Sequence, residues 1–150
     1  MNELAAALKV HIALNVRDVE ASIAFYRKLF SLEPAKVRPG YAKFDVIFPP
    51  VNLSLNQVDS LGHPGALSHL GIQVPSSEDV LAVRRRLEVE GLSPRDERQT
   101  SCCYALQDKA WVNDPDGNAW EVFVVLKDNL PASNSNTCCS QNETLITIGN

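Results

Sequence analysis

The segment His11-Ile12-Ala13-Leu14-Asn15-Val16 returns 58 positions later (69 − 11) as His69-Leu70-Gly71-Ile72-Gln73-Val74. Each copy is followed by a stretch of helical spacing that opens on acidic residues, so the chain reads as a tandem duplication. In a strand, alternate residues share a face. His11, Ala13 and Asn15 therefore point one way and Ile12, Leu14 and Val16 the other, and the second copy sets His69, Gly71 and Gln73 against Leu70, Ile72 and Val74. The aliphatic set suits packing against a helix. That leaves one histidine per half on the opposite face, beside small residues, where a pseudo-twofold axis could bring two imidazoles to one point.

The punctuation of the rest supports two equivalent units. In the first, a strand at Lys9 to Val16 leads to a helix at Asp18 to Phe30, with Asp18 as N-cap and Val19, Ile23, Tyr26 and Phe30 on one face. Strands at Ala35 to Arg38, Tyr41 to Phe48 and Asn52 to Asn56 follow, divided by Pro39-Gly40 and Pro49-Pro50. In the second, a strand at Ser68 to Val74 leads to a helix capped by Ser76 or Ser77 and closed by Gly91 after Glu90. Strands at Arg95 to Leu106, Ala110 to Asn113 and Ala119 to Leu126 complete it, with Asp114-Pro115-Asp116-Gly117-Asn118 as a tight turn. The expected fold is α+β, two tandem βαβββ modules at about 8–57 and 67–127 joined by a linker at 58–66, within one domain at 1–127. From residue 128 to 150 the texture is rich in Asn, Ser and Thr and reads as a flexible tail, in which Leu145 to Ile148 offers a short strand.

Several classes of function are excluded by composition. A formal charge of −4, with basic residues clustered only at Arg84-Arg85-Arg86 and Glu88 and Glu90 close behind, argues for a solvated helix face and against a nucleic-acid partner. No run approaches the ~18 apolar residues of a membrane span, and the N-terminus has no pattern of a secretory leader. The expected location is the cytoplasm. The 150 residues suffice to bury roughly two-thirds of the unfolded surface without disulfides. The four cysteines form two adjacent pairs, Cys102-Cys103 and Cys138-Cys139, badly placed for unstrained disulfides and expected as thiols.

Glu121 is the only charge in the apolar strand Trp120-Glu121-Val122-Phe123-Val124-Val125. Burying a carboxylate there is costly unless a cation or a set of hydrogen bonds compensates it. With His11 and His69 it makes two histidines and one carboxylate, the set that holds a divalent metal on one face and leaves positions open to substrate and oxygen. Any one of the three alone is more simply a hydrogen-bonded core histidine or a solvent-facing glutamate. Together, with the duplication placing the histidines equivalently, they favour a metal. His63, in the linker, reads as a surface residue.

The pair Cys102-Cys103 supports two readings. Adjacent thiols suit a soft, thiophilic centre, and two of them replace both hydroxyls of a monomethylated trivalent arsenical. Alternatively they are two small, partly buried hydrophobes. In a regular strand they would face opposite ways, so joint capture needs a bend, bulge or loop.

The duplicated unit, the helix text Glu20-Ala21-Ser22-Ile23-Ala24-Phe25-Tyr26, the Asp114 to Asn118 turn and Glu121 resemble the vicinal oxygen chelate superfamily, which includes glyoxalase I, extradiol dioxygenases and fosfomycin resistance proteins. That likeness covers about residues 8 to 127 and implies a curled mixed sheet around a metal-binding cavity. Fold-level likeness does not choose a reaction. The segments His11 to Asp18, Lys36 to Phe44, Asn52 to Asn56 and Cys102-Cys103-Tyr104-Ala105-Leu106-Gln107-Asp108-Lys109 are similar to the carbon-arsenic lyase branch, the cadmium-induced or arsenic-resistance glyoxalase-like proteins. This resemblance implies a non-heme Fe(II) enzyme that uses molecular oxygen to demethylate methylarsonite to arsenite and extends to trivalent aromatic arsenicals. It places Fe(II) on His11, His69 and Glu121 and the arsenical on Cys102 and Cys103. Cys138 and Cys139 are accessory candidates.

Other readings carry distinct expectations. A sequestration protein for arsenicals or cadmium would bind stoichiometrically without consuming oxygen. A glyoxalase or a fosfomycin-type thiol transferase would use Ni, Zn or Mn, but neither explains adjacent cysteines; in the lyase too, the same three donors admit Mn, Co, Ni or Zn in place of Fe(II). The expected partner is a small trivalent organoarsenical. The assembly is a monomer or a homodimer, with the cavity closed within one chain or between two.

Overall fold

The computed structural model describes residues 8–62, 67–102 and 105–128, with only the backbone at Cys102. His63, Cys103, the pair Cys138-Cys139 and the tail expectation lie outside these residues.

The first half runs β1 (Val10–Val16), α1 (Val19–Phe30), β2 (Lys36–Arg38), β3 (Tyr41–Val46) and β4 (Val51–Gln57). The second repeats it with β5 (Leu70–Gln73), α2 (Ser77–Val89), β6 (Arg95–Cys102), β7 (Ala105–Asn113) and β8 (Ala119–Lys127). Each half forms its own four-stranded mixed sheet, ordered β1-β4-β3-β2 and β5-β8-β7-β6. The crossover strand lies parallel to the last strand of its unit, β1 on β4 and β5 on β8, and the other pairs are antiparallel. The fold is thus the expected α+β duplication, built as two separate sheets and not as a closed barrel.

Local chemistry accounts for the boundaries. The Asp18 carboxylate accepts from the Ala21 N–H at 3.0 Å, and the Ser76 hydroxyl accepts from the Asp79 N–H at 3.1 Å, so each helix starts on a side chain that satisfies an orphan donor. Past α2, Gly91 adopts φ +84°, a conformation that suits glycine. One expectation fails. The strand read as continuous from Arg95 to Leu106 is divided between β6 and β7, because Cys102 pairs with Ala105 across a hairpin. β6 also carries a register shift between Glu97 and Thr100, where Gln99 sits at φ 48°.

One apolar core joins the halves. Tyr26, Phe44, Leu53 and Leu55 of the first half pack in the same cluster as Leu87, Val112 and Trp120 of the second. Polar contacts fix the junction. The Tyr26 hydroxyl donates to Asp114 Oδ2 at 2.7 Å and accepts from Trp120 Nε1 at 3.2 Å, and Asp114 also accepts from the N–H groups of Asp116 and Asn118. Burial first, and then the neighbouring Asp114 carboxylate, push the Tyr26 hydroxyl far above the usual tyrosine range, so it stays a donor. Stranding either buried partner would cost about 1–3 kcal/mol.

The triple arginine is not simply a solvated face. Arg86 donates to the carbonyls of Lys28 and Leu29, closing the C-terminal end of α1 from the other half.

Candidate functional site

The two-faced strands appear as the alternation predicts. In β1, His11, Ala13 and Asn15 are exposed, while Ile12 and Leu14 pack on the core and Val16 is buried within it. In β5, Gly71 and Gln73 are exposed, while Leu70 and Ile72 pack on the core. His69 stands one residue ahead of β5.

Strand register then decides which side chains share a face. Gly71 lies opposite Glu121, Glu121 opposite Trp111, and Trp111 opposite Arg95, one row across all four strands of the second sheet. The next row along that face sets Gln73, Phe123, Lys109 and Glu97 side by side.

Glu121 is buried, 6% exposed. Its Oε1 lies 3.6 Å from His69 Nε2, and its Oε2 accepts from Lys109 Nζ at 2.8 Å. The Lys109 ammonium also stands 5.4 Å from the Trp111 ring, and the His69 ring meets that indole edge-on at 5.3 Å between centroids. Lys109 and Trp111 are members of this site that sequence reasoning missed. Their signal is a shared parity with Glu121, visible only once the β6–β7 hairpin is known.

Two of the expected donors, His69 and Glu121, lie close enough to share a divalent ion. His69 Nδ1 lies 3.0 Å from the Ser68 hydroxyl, an arrangement that settles the ring with Nε2 turned to Glu121. A separation of 3.6 Å matches two donors each about 2.1 Å from one ion. Gly71 keeps the place open: a Cβ there would come within 3.0 Å of Glu121 Cγ and 3.1 Å of Oε1. Lys109 holds the other carboxylate oxygen, so it supplies the compensating cation that burial of Glu121 requires.

His11 does not join this pair within one chain. It projects from the exposed face of the other sheet, opposite Asn52 on β4, and no three His, Cys, Asp or Glu side chains among the described residues are grouped to hold a metal. The Cys102 backbone ends β6. Its partner Ala105 lies six residues before Trp111 along β7, about 20 Å of strand from the Glu121 row.

Asp108, on the opposite face of β7 from Lys109, staples the β6 irregularity. Ser77 Oγ donates to its Oδ2 at 2.6 Å and the Gln99 N–H to its Oδ1 at 2.8 Å. These bonds, the Ser77 hydroxyl first, hold the carboxyl below the usual carboxylate range. A depressed folded-state pKa contributes stability that is present above the unfolded pKa, about 4, and is lost as pH falls through the folded value. Asp108→Asn is expected to lower stability at pH 7 by about 1.5–3 kcal/mol. Urea midpoints should show the gap to the parent narrowing toward pH 2; a gap unchanged with pH would refute the charge-assisted staple.

A duplicated βαβββ chain of this topology has the architecture of glyoxalase-like proteins. A glyoxalase/bleomycin resistance protein/dioxygenase from Nocardioides superposes with a TM-score of 0.64 at 19% identity, covering 89% of this chain and 93% of that one. Residues 10–122 match the Glyoxalase/Bleomycin resistance protein/Dioxygenase superfamily, and the chain belongs to that family. It is similar to the "Trivalent organoarsenical cleaving enzyme" of Thermomonospora curvata, 47% identical over 135 residues and 88% of each chain. It also resembles the "Cadmium-induced protein CadI" of Mycobacterium bovis, 49% identical over 121 residues, 81% of this chain and 78% of the relative.

Proposed function

We propose that this chain is a non-heme Fe(II)-dependent carbon-arsenic lyase, using molecular oxygen to demethylate methylarsonite to arsenite and also cleaving trivalent aromatic arsenicals. The observation that carries the reading is the buried Glu121 beside His69, with Gly71 leaving room, in a chain similar over most of its length to an organoarsenical cleaving enzyme. Fe(II) on His69, Glu121 and His11 would supply oxygen binding and activation. With oxygen as oxidant the atoms balance when the methyl leaves as formaldehyde and arsenic as arsenite.

The chain's own residues take defined parts. Lys109 holds Glu121 Oε2 and leaves Oε1 turned to His69, while Trp111 packs edge-on against the imidazole. Cys102 and Cys103 condense with the two hydroxyls of the arsenical, releasing two waters and leaving the arsenic-carbon bond to react. Holding that bond beside the metal supplies much of the barrier reduction. His11 is delivered by a second copy of the chain, because its exposed face belongs to the other sheet. The functional unit is accordingly a homodimer in the cytoplasm.

The deciding experiment is anaerobic loading with Fe(II), then methylarsonite with and without oxygen, scored for arsenite. Arsenite only with both iron and oxygen is expected. Stoichiometric arsenical binding with no oxygen consumption would instead make the protein a sequestering one.

A further inference from the structure

Glu121, in the middle of its sheet, is held from both neighbouring strands. On the β5 side the Gly71 backbone comes so close that a Cβ there would stand 3.0 Å from Glu121 Cγ and 3.1 Å from Oε1. On the β7 side the Lys109 ammonium takes Oε2 at 2.8 Å. We propose that Lys109 is a positioning residue that restricts Glu121 to a one-oxygen metal ligand, and so leaves the ion one more open coordination position than the carboxylate would leave by itself. The proposal rests on the metal set of the lyase reading above.

A carboxylate offers two oxygens and binds an ion through one or both. Here Oε1 lies 3.6 Å from His69 Nε2, whereas Oε2 is turned to β7 and already occupied. Binding through both oxygens would bring the ion up to the ammonium. Both side chains of the pair are buried, so little water screens the repulsion between a divalent ion and that cation. Lys109 thus makes the one-oxygen mode the cheaper of the two. The carboxylate does not escape by swinging toward β5, because the Gly71 backbone leaves no room there even for a methyl group.

Trp111 keeps the lysine and the imidazole in step. Its ring stands 5.4 Å from Lys109 Nζ and meets the His69 ring edge-on at 5.3 Å. The number of open positions bears on the reaction. Two imidazoles and one carboxylate oxygen occupy one face of an octahedral ion and leave three places, whereas a second oxygen from Glu121 would leave two. Three places admit oxygen, a substrate atom and a water together, and two would make them compete.

The carboxylate itself can be read by infrared difference spectroscopy between Fe(II)-loaded and metal-free protein, without oxygen, in chains carrying isotope-labelled glutamate. A wide gap between the symmetric and antisymmetric stretches marks binding through one oxygen, and a narrow gap binding through two. The parent and Lys109→Arg are expected to show the wide gap and Lys109→Met the narrow one. Fe(II) should bind Lys109→Met about 10-fold tighter or more, because a buried like charge is gone. Turnover should nonetheless fall about 10-fold or more. A lysine with a merely structural role would leave the gap wide in Lys109→Met and lower affinity and turnover together, and that result would overturn the inference. A narrow gap in the parent would overturn it as well, and the parental spectrum can do so even where Lys109→Met does not fold. That outcome leaves the lyase reading standing. If no glutamate band of the parent responds to Fe(II), Glu121 is not a ligand, and the metal set falls together with this inference.

Discussion

Glu121→Gln is expected to weaken Fe(II) binding at least about 100-fold, more than loss of a supporting hydrogen bond would. The same change takes the carboxylate away from Lys109, whose side chain is 3% exposed, and removing one partner of a buried ion pair costs about 3–5 kcal/mol. Two roles of Glu121 are thereby superposed, and a double variant separates them. Lys109→Met with Glu121→Gln should recover much of the lost stability in a urea titration while metal affinity stays low. Recovery of both would reduce Glu121 to a structural partner of Lys109. Mixing bears on the assembly: when Glu121→Gln and His11→Ala dimers exchange subunits, half of the products are heterodimers with one intact site, so about a quarter of parental turnover should return. No return under verified exchange would place all three ligands within one chain.

Cys102→Ser and Cys103→Ser should each lower arsenite production at least about 100-fold, because one sulfur no longer fixes the arsenic-carbon bond and the advantage of holding it beside the metal is lost. Iron binding should stay at the parental level in both, since neither thiol is in the proposed ligand set. Full turnover in either variant would remove the paired capture. Truncation after Lys127 discriminates the second pair: unchanged turnover at low arsenical would make Cys138 and Cys139 dispensable.

The duplication was legible because it repeats at every level that sequence exposes. The caps Asp18 and Ser76 and the alternation in β1 and β5 stand in the structure where residue chemistry places them, whereas the two histidines that the repeat equates do not meet within one chain. Glu121 was legible for a related reason, as the single charge in an apolar strand. The partner that satisfies it was not. Reading Arg95 to Leu106 as one strand hid the hairpin between Cys102 and Ala105, and without that hairpin nothing relates Lys109 and Trp111 to Glu121. Arg86 was hidden differently: three consecutive arginines near two glutamates look solvated, whereas the carbonyls that receive Arg86 come from α1, 57 and 58 positions away. Contacts between halves are long-range, and a pattern read within a window of a dozen residues does not contain them.

On the proposed function, the ammonium lodged against Glu121 separates maturation from metal supply. Small zinc modules stay unfolded until their ion arrives, because metal binding supplies the free energy of their folding. Here an internal cation already neutralises Glu121, so on the same proposal the polypeptide would complete its architecture before any ion arrives.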